Sequence, residues 1–448
     1  MTPARLYGSA YLAWRLRGQA RYPFRPLAKI RRDQSRRTRA MVAYAYRYVP
    51  YYRETLDRLG LTPDDFRTAE DLARLPLLET EAYRRDPERF LSTAQPAERY
   101  LRLLTSGSSG VPRVIYHDAR ACLDNIAHAE RERCILSDLL GHPVHYRETA
   151  LHMTHNESTA HLIQRFTRQA AWLPRAVGIE RQNLSIFDPL EDQVRQIDEF
   201  RPEVLTSVGG HLIALFSHLR KSGQPCHLPR AVVYASEGAT ESTRRLVMEG
   251  FGIPVFNTYQ AVEALKIGFE CEQHRGFHLN VDLYPFRVID AEGRPVGPGE
   301  IGTTVISNLV NHATVLLNYH LADFTALDPA PCPCGRTLPL TSFLQGRASD
   351  CLQLGGRTLS PWTIEQIFSV QEDAWQYQVI QEGPSRVRVL VVAAPEANPE
   401  TLSAGVLAGF REACGEAVTV DLSFVEEIPR PTVGKLRPIL APAREASA

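Results

Sequence analysis

The chain has 448 residues, 44% apolar and 23% charged, and its 51 Lys and Arg balance 51 Asp and Glu. That mix excludes a disordered or collagen-like chain, and the zero balance gives no global attraction to nucleic acid or an anionic membrane. The length exceeds what one core organises, so two or more domains are expected.

In chain order, residues 1–50 hold twelve Lys or Arg against one acid, Asp33. They read as helices with a basic face. A solvated or internally paired surface is the plain reading, and a membrane-surface or transit-peptide role is the alternative. The start lacks an uninterrupted apolar stretch, and no run of about 18 apolar residues occurs, so neither a signal peptide nor a transmembrane helix is expected. Residues 33–60 look helical, with Tyr44, Tyr46, Tyr48, Tyr51 and Tyr52 packing inward. Residues 61–100 carry short helices punctuated by Pro76 and Pro87.

From about 101, the apolar runs Arg113–Tyr116, Val204–Val208, Ala231–Ala235 and Val255–Asn257 alternate with helix-like segments at Ala119–Cys134, Leu190–Phe200, Leu212–Ser222 and Thr240–Gly250. That alternation predicts an α/β fold with largely parallel, buried strands. Over 278–345 the pattern becomes β-rich: Leu283–Asp290 and Thr303–Ser307 read as strands around the turn-rich Ala291–Gly302. A smaller α/β unit follows Gly346–Asp350. It reads as strand 351–354, helix 361–370, strands near 375–380 and 386–393, helix 399–414 and strand 418–425.

The sharpest local feature is Thr105-Ser106-Gly107-Ser108-Ser109-Gly110-Val111-Pro112-Arg113, between two strand-like runs. Small hydroxyls and glycines let backbone N–H groups close around phosphate oxygens, and a plain surface turn is the alternative. It is not a Walker A loop, because the Gly-Lys-Ser/Thr ending and the following helix are missing. Four more segments follow: Val233–Ala239; Phe256-Asn257-Thr258-Tyr259-Gln260-Ala261-Val262-Glu263; Leu317–Asp323; and Gly346-Arg347-Ala348-Ser349-Asp350 with Gly355-Gly356-Arg357. A lone Lys435 after Gly434 closes the series.

In this order the segments resemble the signatures of adenylate-forming enzymes: acyl-CoA synthetases, peptide-synthetase adenylation domains and luciferases. The helical leader and compact length are most like the phenylacetate–CoA ligase branch and its capsule-associated relatives. The resemblance implies nucleotide binding by Thr105, Ser106, Gly107, Ser108, Ser109 and Gly110, by Ser236, Glu237 and Gly238, by Asn257, Thr258 and Tyr259, and by Asp323 and Arg347. Asp323 would accept from the ribose hydroxyls, and Tyr259 would stack on adenine or meet the α-phosphate. Glu263 would hold Mg²⁺, a hard cation that needs a carboxylate. Lys435 would bridge the substrate carboxylate and the α-phosphate. Asp350 would be the hinge between a domain over 1–347 (helical leader 1–100, β-rich part about 278–345) and a mobile C-terminal domain over 350–448. Several positions depart from the family pattern: Arg113 for Lys, Gln260 for Gly, Val262 for Thr, Asn318 for Arg and Ala322 for Gly.

Eight cysteines at this length are not a disulfide scaffold, so a reducing, cytoplasmic setting is expected. Cys271, His278, Cys332 and Cys334 could form a closed tetrahedral structural zinc site, with His274 a competing ligand and ordinary buried thiols the alternative. By the resemblance His155 falls where an acyl pocket would be, while a loop-to-helix start with satisfied histidines is the favoured reading of that segment. Gly209, Gly210 and Gln260 are further pocket candidates.

The expected function is activation of a small carboxylic acid, aromatic by the habit of the branch, to acyl-AMP with ATP and Mg²⁺, then thioester formation with coenzyme A. Transfer to an amine or carrier-protein thiol is the second reading. A catalytically weak nucleotide-binding protein is the third, motivated by the departures at Gln260, Val262, Asn318 and Ala322. A homodimer is left open, and no nucleic-acid partner is expected.

Overall fold

The structure, a computed structural model, describes residues 2–105, 113–142, 145–152, 159–172, 179–235, 239–371, 373–429 and 437–441. The leader opens with α1 (Pro3–Leu16), then α2 (Leu27–Tyr48) and α3 (Pro50–Leu59). The helical stretch expected over 33–60 is thus made of two helices. Pro50 has no N–H to continue α2, and its fixed φ suits the first turn of α3. Of the five tyrosines expected inside, Tyr52 is fully buried, Tyr44, Tyr46 and Tyr51 pack partly buried against the same core, and Tyr48 is partly buried. A short α4 (Thr80–Arg85) completes the leader.

β1 (Leu101–Leu104) and β2 (Val114–His117) form an antiparallel pair on either side of the Gly/Ser/Thr loop. Then come α5 (Ala119–Leu140), β3 (Arg147–His152), α6 (Thr159–Ala170), β4 (Glu180–Ser185), α7 (Leu190–Phe200), β5 (Val204–Ser207), α8 (Gly209–Ser222), β6 (Ala231–Ala235) and α9 (Glu241–Arg245). β7 (Val255–Ala261), β8 (Leu265–Glu270), β9 (Phe277–Leu279), β10 (Phe286–Ile289), β11 (Gly302–Ile306), β12 (Tyr319–Thr325), β13 (Leu327–Asp328) and β14 (Leu340–Thr341) finish this part.

The central sheet runs β13-β14-β9-β8-β7-β6-β5-β3-β4. Its β4-β3-β5-β6-β7 half is parallel, as the β–α alternation predicts, and the β7-to-β13 half is antiparallel. The β-rich stretch 278–345 is thus divided between two sheets. β9, β13 and β14 extend the central sheet, and only β10-β11-β12 stand apart as a second sheet.

The C-terminal unit holds β15 (Leu352–Leu354), β16 (Arg357–Leu359), α10 (Pro361–Ser369), β17 (Ala374–Gly383), β18 (Arg386–Ala393), α11 (Pro399–Cys414), β19 (Thr419–Phe424) and β20 (Ile439–Leu440). Its sheet runs β19-β18-β17-β20, around a core that includes Ile364, Phe368, Val389 and Phe410. The two parts touch where Trp375 of β17 sits in the core of α7, α8 and β6, and where Ser242 Oγ donates to the Trp375 carbonyl at 3.0 Å.

Candidate active site

Tyr259, Asp323 and Arg347, from three separate motifs, converge on one carboxylate. The Tyr259 hydroxyl donates to Asp323 Oδ2 at 2.8 Å, and Arg347 Nε donates to Asp323 Oδ1 at 2.9 Å. The backbones of 323 and 347 are also bridged, so the hinge segment is stitched to β12. Asp323 is buried, and each oxygen keeps a lone pair after these bonds. It can therefore still accept from a vicinal diol. The Asp323 charge raises the Arg347 pKa, and burial keeps the Tyr259 phenol protonated. The Tyr259 ring is buried against Phe277 and Phe286, so it reaches the site through its hydroxyl rather than an open ring face.

Strand alternation sends neighbouring residues to opposite faces. Thr258 accordingly turns away from Asp323 and donates its hydroxyl to Glu132, which also pairs with Lys266. Glu132 thus occupies the Thr258 hydroxyl in this structure. The backbone N–H of Asn257 donates to Glu270 at 2.6 Å. Gln260 is exposed beyond the strand's bulge.

Glu263 lies on the turn between β7 and β8, nearly inaccessible, and accepts from Arg113 Nη2 at 2.7 Å. Two residues hold that turn. Asn308 Nδ2 donates to the Glu263 carbonyl at 2.9 Å, and His117 Nε2–H donates to the Val262 carbonyl at 2.7 Å. Burial pushes His117 down to about 4, so it is neutral and serves as a donor. Neither residue carries a sequence signal, because each acts on a backbone carbonyl about 45 or 145 residues away in the chain. The Thr105 hydroxyl accepts from the Arg113 N–H at 3.0 Å, and the Thr105 N–H donates to the Arg113 carbonyl at 2.9 Å. These bonds close the base of the phosphate-loop segment. The Glu263 carboxylate is the kind of ligand a divalent cation takes, and here Arg113 occupies that place.

Gly209 and Gly210 start α8 directly after β5, at the carboxyl end of the parallel strands where α/β sheets place ligands. Asp350 pairs with Arg437, which lies two residues beyond Lys435. Ser106, Gly107, Ser108, Ser109, Gly110, His155, Ser236, Glu237, Gly238 and Lys435 lie outside the described residues.

The four residues read as a zinc set also meet. Single ligand atoms of Cys271, His278, Cys332 and Cys334 all lie within 4.8 Å of one another. His278 donates Nδ1–H to the Leu338 carbonyl at 3.3 Å, which leaves Nε2 as the free donor atom, 3.3 Å from Cys334 Sγ. Backbone N–H groups of Gln273 and Arg336 point at the Cys271 and Cys334 sulfurs. An imidazole oriented by a carbonyl, with three thiols around it, fits a Cys₃His cation site. His274, the competing candidate, is instead bonded through Nδ1 to Glu270 at 2.7 Å.

Comparison with known proteins adds to this picture. A family model described as the CapK C-terminal domain matches residues 355–441. The phenylacetate-coenzyme A ligase of Thermus thermophilus is 28% identical over 458 residues, covering 93% of this chain and 97% of that protein. The structure is similar to that of a 2-hydroxyisobutyryl-CoA ligase in the postadenylation state with an acyl-AMP, at TM-score 0.73, 17% identity and coverage of 93% and 90%. For the same ligase in the thioesterification state the score is 0.61, with 17% identity and coverage of 93% and 90%.

Proposed function

We propose that the chain is an AMP-forming acid–thiol ligase of the adenylate-forming superfamily, of the phenylacetate–CoA ligase kind. It joins a small carboxylic acid to coenzyme A at the expense of ATP. The observation that carries this reading is the convergence of Tyr259 and Arg347 on Asp323. A carboxylate so fixed, with spare lone pairs, suits the ribose of a nucleotide.

In the first half-reaction, the acid's oxygen attacks the α-phosphorus and the bond to pyrophosphate breaks. Glu263 is the residue to hold Mg²⁺, which when bound would offset charge on the phosphates. Arg113 is then released from Glu263 toward the phosphate side. Lys435 steadies the charge that develops between carboxylate and phosphate. In the second half-reaction, a thiol sulfur attacks the acyl carbon and AMP leaves. The better match to the postadenylation form supports reading the present domain arrangement as the one before thiol attack. Cys271, His278, Cys332 and Cys334 hold a structural zinc ion away from the chemistry. The acid is aromatic, in keeping with the phenylacetate–CoA ligases that the chain resembles.

The test is Lys435→Ala. Carboxylate-dependent ATP–pyrophosphate exchange should fall about a thousandfold, while thiolysis of supplied acyl-AMP is retained. Undiminished exchange would overturn the role of Lys435. Rapid AMP release with a carboxylate panel in the presence of coenzyme A is the measurement for the ligase itself.

A further inference from the structure

The outward face of α1 is apolar. A helix on a protein surface normally turns charged residues to water, and one that is apolar all round is covered. On α1 the solvent side instead presents Leu6, Tyr7, Ala10, Ala13 and Trp14, with Leu6, Tyr7 and Trp14 51%, 74% and 59% exposed. Trp172, 53% exposed, adjoins it through its N–H, which donates to Ser9 Oγ at 2.8 Å.

This is not a loosely attached segment. The opposite face buries Leu12 against Leu123, Ala127 and Ala171. Gly8 lies so close to Ala170 that a Cβ there would be 2.0 Å from the carbonyl oxygen. The Tyr11 hydroxyl donates to Asp124 at 2.8 Å, and Arg15 Nε donates to the same oxygen. The helix is fixed with its aromatic side outward.

The charge around this face has one sign. Arg17 and Arg21 follow α1, Arg165 and Arg168 lie exposed on the neighbouring α6, and Arg120 lies on α5. Residues 2–32 and 159–172 contain no acid, and the one acid in 119–129 is Asp124, already taken by Tyr11 and Arg15. Aromatic side chains flush with a ring of arginines match the boundary between acyl chains and anionic headgroups. A second copy of the chain fits less well. A two-fold contact would set the arginine rim against itself. One helix of 14 residues is about 21 Å long and about 10 Å wide, well short of the ~800 Å² per partner that a stable interface buries.

We propose that α1, with Trp172 and the flanking arginines, docks the enzyme on an anionic lipid surface. The zero net charge of the whole chain conceals this local basic field.

The experiment is co-sedimentation of the full-length protein with phosphatidylglycerol/phosphatidylcholine vesicles and with phosphatidylcholine vesicles at low salt. Binding is expected to the first and not the second, and to weaken with added salt. Tyr7→Ser/Trp14→Ser and, separately, Arg165→Glu/Arg168→Glu should each reduce vesicle binding about tenfold or more. Both should keep wild-type pyrophosphate release in solution, because these side chains are exposed and away from the site. No partition onto the anionic vesicles, or binding unchanged in both variants, would overturn the proposal. So would a concentration-dependent dimer abolished by Tyr7→Ser/Trp14→Ser with no vesicle binding, which would assign the face to a second copy.

Discussion

Arg113 illustrates what a single substitution within a motif can mean. Many adenylate-forming enzymes have Lys at this position, and the guanidinium found here reaches across to the carboxylate expected to hold Mg²⁺. Arg113 Nη2 and Glu263 Oε1 meet at 2.7 Å, and both partners are largely removed from water. Breaking this contact leaves a buried, unpaired carboxylate. Arg113→Ala should therefore lower the free energy of unfolding by about 3 kcal/mol without ligand, with part of the loss recovered in Mg–ATP. Chemical denaturation with and without Mg–ATP checks this, and an unchanged midpoint in both would count against the pairing. Other departures are absorbed by the backbone. Asn318 and Ala322 both have positive φ, 54° and 63°. Ala322 thus keeps the conformation natural to the glycine usual there, while Asn318 exchanges a charged side chain for a buried bond to the Leu75 carbonyl at 2.8 Å.

At the scale of elements, the hinge and the sulfur cluster stand out. Gly346 has φ 88°, and a Cβ there would come within 2.3 Å of Pro361 at the start of α10. The glycine lets the domain connection pass α10 closely, directly before Arg347 grips Asp323. The Cys271–His278–Cys332–Cys334 cluster ties the end of β8 and β9 to the turn before β14, strands that are otherwise short. Protein prepared without chelator should contain one zinc per chain, and its removal should lower the melting temperature by several degrees. Elemental analysis and calorimetry before and after chelation are the checks. A metal-free preparation of full stability would contradict the assignment.

At the scale of the whole molecule, buried neutral histidines couple the fold to pH. Burial pushes His117 down to about 4, and burial with nearby arginines pushes His128 well below its ordinary value. In the unfolded chain both titrate near 6.5. Between about 6.5 and about 4 the unfolded state binds more protons, so stability is at its full value above that window and is lost as pH falls through it. Urea midpoints should drop between pH 7 and pH 5. His117→Gln should show a smaller drop, and an equal drop would remove His117 from the account.

Much of the organisation was legible in the chain: the parallel β–α order, the five motifs in sequence and the C-terminal unit, whose α11 spans the residues expected for it. Periodicity and turn residues are local properties, and local properties are written in local sequence. The antiparallel half of the central sheet was not legible, because β9 and β14 are three and two residues long and exist only through pairing with distant partners. For the same reason only the tertiary structure identified His117 and Asn308 as supports of the Glu263 turn, or showed His278 beside the three thiols while His274 bonds to Glu270. By itself, then, the sequence determined the family pattern and the kinds of groups that chemistry would use. The tertiary structure decided which of those groups meet, since convergence depends on hydrogen bonds and ion pairs between residues dozens to hundreds of positions apart, for which no spacing rule exists.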